Sequence, residues 1–505
     1  MAPVKGNSLV SFRGSRVDAD IAALVADPRV AGVILYGPMN IRDAGQTRAM
    51  VDDLVSAAGR FLLIAVDQEG GQLIGAGPDT TPFAGNMALG AVGDTGLVAR
   101  VAGAMGRELR SLGMNVNLAP VADVASRPYN PSMGIRSFGE EPEAVSRLTA
   151  AFATGLQDEG VAATLKHFPG KGEASVDPHL HLPVLDLDRN RLDHVEFAPF
   201  RAGIEAGARL LMVGHYGLPG VTGDPDLPTS VSEEVMVGLI REHLGFPGVI
   251  VTDALDMGAF GTHHPDAPLG AGADLLLYGP AQAGDLPEIP ARASERLEVI
   301  CDWLMSFDDP GLDVLGCRDH RDLATELAQR SITLVRDDAG LLPLRPSADT
   351  RILAVMPHPK NLTPADTSEA VKPLLAESLR RMHRSTTEYL VDFDPDDDEV
   401  AEAVRMATQH DLVVVGTLDA SPGQSALVRR VLATGTPTVT VAMRTPYDLA
   451  SYPESSTHLC TYGILEPSVD ALVAALFGER IMGRLPVAVP NLYPVGHGIQ
   501  TQGAS

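Results

Sequence analysis

A chain of 505 residues is longer than one hydrophobic core ordinarily covers, and 45% apolar residues mark it as folded, so two domains are expected. The net charge of −26 leaves no basic footprint for nucleic acid and argues against adsorption to anionic membranes. Cys301, Cys317 and Cys460 are scattered and odd in number, which argues against a disulfide framework. The start "MAPVKGNSLVSF" has no apolar h-region and no run of about 18 apolar residues occurs, so a soluble, cytoplasmic protein is expected.

Short apolar runs alternate with helical patterns through the first 280 residues. In chain order the expected strands are "NSLVSF", "VAGVILY", "FLLIAVD", "NVNLAPV", "VAATLKHF", "RLLMVGH", "GVIVTDAL" and "ADLLLY". Between them, "TGLVARVAGAMGRELRSLG" and "PEAVSRLTAAFATGLQDEG" are amphipathic and close at glycines suited to helix ends. Such alternation means βαβ units, and eight of them point to a closed (β/α)8 barrel of the TIM type. The stretch "GTHHPDAPLGAG" is too short for a full crossover helix. Either the helix after strand seven is eroded or the last strand is misplaced.

Beyond the barrel, "PARASERLEVICDWLMSF" and "HRDLATELAQRSITLV" read as helices around the connector "DDPGLDVLGC". A second alternating set follows: "RILAVMP", "TEYLVDF", "DLVVVGT", "TPTVTVAM" and "HLCTYG". It predicts a three-layer αβα sandwich of five strands. The acidic run "DFDPDDDE" (392–399) reads as a solvated loop. The expected organisation is a barrel over 1–310, a linker helix over 311–330 and a sandwich over 331–505.

Barrel enzymes carry their chemistry on the carboxyl ends of the strands. Here those ends bear Asp67, Asn117, Asp123, Lys166, His167, His215 and Asp253. A single strand-end aspartate often only caps a helix, but five strand ends in register point to a site. The glycines of "DQEGGQ" lack the G-x-G-x-x-G spacing of a phosphate loop. In "GKGEASVDPHLHLP" (170–183), Pro178 pushes Asp177 toward extended backbone, so Asp177 and His179 share a face. Asp177 can then orient the His179 imidazole and favour its protonated form, as a group that gives and takes protons requires.

At "KHFPGKG…DPHLHLP" and "VTDALDMGA" the chain resembles the family 3 glycoside hydrolases, within them the bacterial β-N-acetylhexosaminidase branch. "VDQEGGQL", "NLAPVADV", "NPSMGIRSFGEEP", "RSITLVRDDAGLLPL", "RTPYDL" and "GRLPVAVP" are similar to further family stretches, so the resemblance spans nearly the whole chain. It implies a barrel followed by an αβα sandwich, and a retaining mechanism with Asp253 as nucleophile. His179, partnered by Asp177 on the loop after strand five, would replace the usual second carboxylic acid. Asp67, Arg136, Lys166, His167, Met212 and His215 would line the sugar site. The expected substrate is terminal β-N-acetylglucosamine of small glycans or cell-wall fragments, with no metal or cofactor. Phosphorolysis and non-catalytic sugar binding are the alternatives. Lys171, Glu173, Ala174, Pro178 and Gln72 depart from the family pattern, and the resemblance to the family's β-glucosidases stops at Ala254, where they place Trp.

Overall fold

The computed structural model describes residue 4 and residues 6–285 and 294–503. Residues 1–3, 5, 286–293 and 504–505 lie outside it, and with them part of the amino-terminal stretch and the first four residues of the helix expected from Pro290.

Eight short strands form the barrel: Ser8–Val10, Val30–Leu35, Leu63–Val66, Val116–Asn117, Ala162–Phe168, Leu210–Val213, Val249–Ala254 and Leu275–Leu277. Each pairs in parallel with its sequence neighbours, and the first closes on the eighth through Ser8–Leu276 and Leu9–Leu277. Their apolar, β-branched composition follows from burial on both faces, toward the barrel interior and toward the surrounding helices. Leu9, Leu63, Ala65, Val116, Ala162, Leu210, Val249, Val251 and Leu275 fill the interior. The helix Glu295–Leu304 packs Leu297, Ile300 and Leu304 into the same cluster.

The two long amphipathic helices span Thr95–Ser111 and Pro142–Asp158. Each ends just before the expected glycine, Gly113 (φ 79°) and Gly160 (φ 76°), whose left-handed backbone other residues adopt only with strain. Strand eight forms where expected, and the crossover before it is reduced to the five-residue helix Ala267–Ala271, so it is the helix that is eroded.

The second unit is a six-stranded sheet rather than the expected five. Helix Arg318–Ser331 stops before "ITLV", which the helical pattern had absorbed. Thr333–Asp337 instead runs antiparallel along Thr457–Cys460. Ile332 and Leu334 are buried against the sheet, and a β-branched edge strand gains more there than from another helical turn. The other five strands are parallel: Ile352–Pro357, Thr386–Val391, Leu412–Thr417, Thr438–Ala442 and Thr457–Cys460. The acidic run is not wholly a loop. Asp396 caps the helix Asp397–Ala407, accepting from the backbone of Asp398 and Glu399 while Glu399 accepts from the Asp396 N–H. Carboxylates suit that helix end, where unpaired N–H groups and the dipole favour negative charge.

Candidate active site at the barrel mouth

The floor of the barrel mouth is a buried ion cluster. Lys166, at the end of strand five, donates to Asp67 Oδ1 at 2.6 Å and contacts Glu69 Oε1 at 2.7 Å. Arg136 makes a two-pronged pair with Glu69, Nε to Oε2 at 2.9 Å and Nη2 to Oε1 at 2.8 Å. Arg136, Glu69 and Lys166 are all under 5% exposed. Burial pushes the Glu69 carboxyl up, but the two cations overcome it and hold the group far below the usual carboxylate range. Asp67 is the member of the cluster left open to the cavity.

Beside it, Asp123 fixes His167. Its carboxylate accepts from the His167 ring Nδ1 at 2.8 Å and from the backbone N–H groups of His167 and Lys171. Burial, with Lys171 and Arg136 nearby, drives the His167 imidazole well below its ordinary pKa. At neutral pH the ring is neutral, Nδ1–H on Asp123 and Nε2 on the cavity side, 3.5 Å from Arg136 Nη2.

Asp253 ends strand seven and accepts from the Ala254 N–H at 2.9 Å. Burial works to raise its carboxyl, but the surrounding imidazoles and that N–H outweigh it and hold the group below its ordinary range. Since His167 and His215 are themselves driven toward neutrality, the direction that stands is an ionised Asp253 facing neutral rings. The structure corrects the expectation for His215. It is fully buried, with Nδ1 on Ser230 Oγ at 2.6 Å and Nε2 on the Ala254 carbonyl at 3.1 Å, and does not line the cavity. It braces the turn that carries Asp253.

The loop after strand five brings His179 to the same mouth. His179 Nδ1 meets Asp177 Oδ1 at 2.6 Å, and the His179 N–H donates to the same oxygen at 3.0 Å. Burial would raise the Asp177 carboxyl; these bonds more than offset it and hold it below the usual range. The loop is stitched onto the segment following Asp253: the Gly258 N–H donates to the His179 carbonyl at 3.0 Å and the Ala259 N–H to the Pro178 carbonyl at 3.1 Å. A Cβ on Gly258 would lie 2.3 Å from the Leu180 carbonyl oxygen, so this docking needs glycine there. His179 Nε2 has no hydrogen-bond partner among the described residues and lies on the cavity.

The departures from the family pattern are accommodated locally. Glu173 pairs with Arg191 at 3.1 Å, Ala174 is fully buried, and Asn130 donates to the carbonyls of Lys171 and Gly172. Lys171 itself is 1% exposed and lines the cavity, and its ammonium has no partner among the described residues. Burial, aided by Arg136, pulls its pKa down to about 8. Its folded pKa lies below the unfolded value of 10.5, so it costs stability at neutral pH and that cost fades as pH rises from about 8 to 10.5. Lys171→Met is therefore expected to stabilise the protein at pH 7 by roughly 3 kcal/mol and to bring no gain above pH 10.5. Denaturant melts at the two pH values check this.

Asp67, Arg136, Lys166, His167, His179, Met212 and Asp253 all line one cavity of about 500 Å³. Asp177 stands one layer behind His179. Glu69, two positions from Asp67 in "DQEGG", carries the buried pairs, and nothing local in the sequence marks that role. The second unit adds a wall that the sequence does not reveal, residues 361 and 364–367. Thr367 anchors that wall to the barrel, its N–H donating to the Gln72 carbonyl at 2.8 Å and its hydroxyl accepting from the Ile74 N–H at 3.1 Å.

A parallel barrel with an acid, a carboxylate and sugar-sized room at the carboxyl ends of its strands defines a barrel enzyme. Residues 2–294 match the glycosyl hydrolase family 3 N terminal domain, and the chain belongs to that family of glycosidases. It is 30% identical to a beta-hexosaminidase A of Pseudoalteromonas piscicida, over 93% of this chain and 91% of that one. To a beta-N-acetylglucosaminidase/beta-glucosidase of Cellulomonas fimi it is 29% identical, over 92% and 91%. Its structure is similar to the family 3 beta-N-acetylglucosaminidase of Paenibacillus sp. str. FPU-7, with a TM-score of 0.87 and 31% identity over 96% and 98% of the chains. A beta-glucoside phosphorylase matches at 26% identity and a TM-score of 0.76, over 91% and 89%. No helix among the described residues is long and apolar enough to cross a membrane.

Proposed function

We propose that the enzyme removes terminal, non-reducing β-N-acetylglucosamine from small glycans by a retaining mechanism. The carrying observation is that Asp253 and the Asp177-steered His179 line the same cavity, their segments joined by backbone hydrogen bonds. In the first step the ionised Asp253 attacks the anomeric carbon while His179 gives its proton to the leaving oxygen, which departs as an alcohol. In the second, His179 takes a proton from water, and the resulting oxygen displaces the sugar from Asp253. The Asp67–Lys166–Glu69–Arg136 cluster supplies fixed charges and donors for the sugar hydroxyls, and His167 Nε2 an acceptor, with no reorganisation at the moment of reaction. The hexosaminidase and N-acetylglucosaminidase names of the relatives support the choice of sugar.

His179→Ala tests the acid role. Turnover of glycosides with poor leaving groups is expected to fall about 10²- to 10⁴-fold, and that of 4-nitrophenyl glycosides much less. Equal loss on both substrate types would remove His179 from proton transfer.

Phosphorolysis is the second reading, favoured by the unpartnered Lys171 ammonium on the cavity wall and by the phosphorylase relative. A neutral imidazole does not repel phosphate as a carboxylate would. Adding inorganic phosphate to a turnover assay separates the two readings: sugar 1-phosphate marks phosphorolysis, and free sugar alone marks hydrolysis.

A further inference from the structure

The five parallel strands of the second unit lie in the order 2-1-3-4-5, with the antiparallel strand Thr333–Asp337 beyond the fifth. The chain leaves the first strand, Ile352–Pro357, to one side and returns with the third, Leu412–Thr417, on the other. In open α/β sheets, the crevice outside the carboxyl ends at such a switch point is where ligands bind. Here the loops after strands one and three, with the loop after strand four, face the barrel's loop after its own fourth strand. Between them lies a cavity of about 210 Å³. Leu362 and Thr363 separate it from the catalytic cavity, whose wall their neighbours Asn361 and Pro364 form.

We propose that this crevice is a saccharide site, separate from the catalytic cavity, that holds one pyranose ring. Three observations carry it. Its polar atoms are buried and unspent. Thr363 Oγ1 has no partner, and Arg444 Nε and Asp419 Oδ2, an ion pair at 3.3 Å, make no hydrogen bond, so each keeps hydrogen-bonding capacity for a hydroxyl. Thr363 and Arg444 are 8% and 1% exposed, so water does not freely replace those bonds. An aromatic face waits at the mouth: Tyr129 is 57% exposed and leans on Tyr447, ring centroids 5.0 Å apart. Such a face pairs with the C–H side of a sugar ring. Finally, backbone strain gathers here. Five non-glycine residues among the described ones have left-handed φ. Tyr129 (57°) and Asp419 (59°) line this crevice, and Ala420 (36°) follows them.

Charge decides the class of ligand. Arg444 is spanned by Asp366 at 2.7 Å and Asp419 at 3.3 Å, and the other cation of the lining, Arg127, is exposed at the rim, so no buried cation is left over for a phosphate or nucleotide. A neutral polyol with hydroxyls for Thr363 and Asp419 fits what remains. The ring is either a distal unit of the substrate chain or a free sugar acting from outside the reaction.

The choice of probe, and only that, rests on the proposed N-acetylglucosaminidase activity. Tyr129→Ala and, as an isosteric second variant, Thr363→Val are compared with the wild type on N,N′,N″-triacetylchitotriose and on 4-nitrophenyl β-N-acetylglucosaminide. Each nitrophenyl assay is repeated with added N,N′-diacetylchitobiose. A substrate-chain site predicts that KM for the trisaccharide rises about three- to tenfold in the variants, with kcat and nitrophenyl turnover unchanged. A free-sugar site predicts unchanged trisaccharide KM but loss, in the variants, of a chitobiose effect on nitrophenyl turnover that exceeds simple competition. Variants indistinguishable from wild type in both arms, or equally impaired on both substrates, overturn the proposal. Should the wild type prefer glucosides, the activity reading fails on its own, and the same comparison runs with cellotriose, 4-nitrophenyl β-glucoside and cellobiose.

Discussion

Asp253→Asn is expected to lower kcat on 4-nitrophenyl β-N-acetylglucosaminide by at least about 10³-fold while leaving the fold intact. The substitution keeps the shape of the side chain and the capacity to accept from the Ala254 N–H, but removes the carboxylate proposed to attack the sugar. Because an ionised carboxylate is lost beside His167 and His215, those rings are also expected to protonate less readily. Steady-state kinetics with a circular-dichroism control checks it. Retention of most of the activity would show that another group attacks the sugar.

The second large effect concerns stability. Glu69→Ala removes the carboxylate that both Arg136 and Lys166 use and leaves two buried cations with Asp67 alone. Breaking a buried pair from one side costs about 3–5 kcal/mol, because the charge left behind has lost its water and gained nothing. A drop of that size is expected in denaturant unfolding, together with loss of activity, since Lys166 and Arg136 no longer hold one geometry. Glu69→Gln retains the shape and one acceptor and should fall between the two. A Glu69→Ala protein as stable as the wild type would mean that water reaches the cluster and that its charges are not desolvated.

The contrast between Glu69 and Asp253 shows what a sequence displays and what it hides. Asp253 ends an apolar run, and its place at the mouth follows from strand periodicity alone; the eight barrel strands were legible for the same reason. Glu69 stands in a small hairpin, Gln68–Gly70 with Leu73–Ile74, where the glycines attract notice and nothing local says that the carboxylate turns inward. Its partners lie 67 and 97 positions away, at Arg136 and Lys166. The same holds for Thr367, which reaches Gln72 across the two units, and for the strand Thr333–Asp337, whose partner Thr457–Cys460 arrives late in the chain. His215 stands at a strand end as expected, but its ring is spent on Ser230 and the Ala254 carbonyl rather than on the cavity. A four-residue strand cannot say which of its successors faces the mouth. Lys171 was visible only as a departure; its buried, unpaired ammonium is a property of the packed loop.

In the proposed mechanism the Asp253 carboxylate becomes covalently bonded to the sugar while His179 serves the leaving group. Incubation with 5-fluoro-β-N-acetylglucosaminyl fluoride, followed by intact-mass measurement and peptide mapping, tests it most directly. One added glycosyl mass is expected on the peptide containing Asp253, formed in the wild type and absent in Asp253→Asn. An adduct on a different carboxylate, or full turnover of substrate by an enzyme that never carries one, would contradict it.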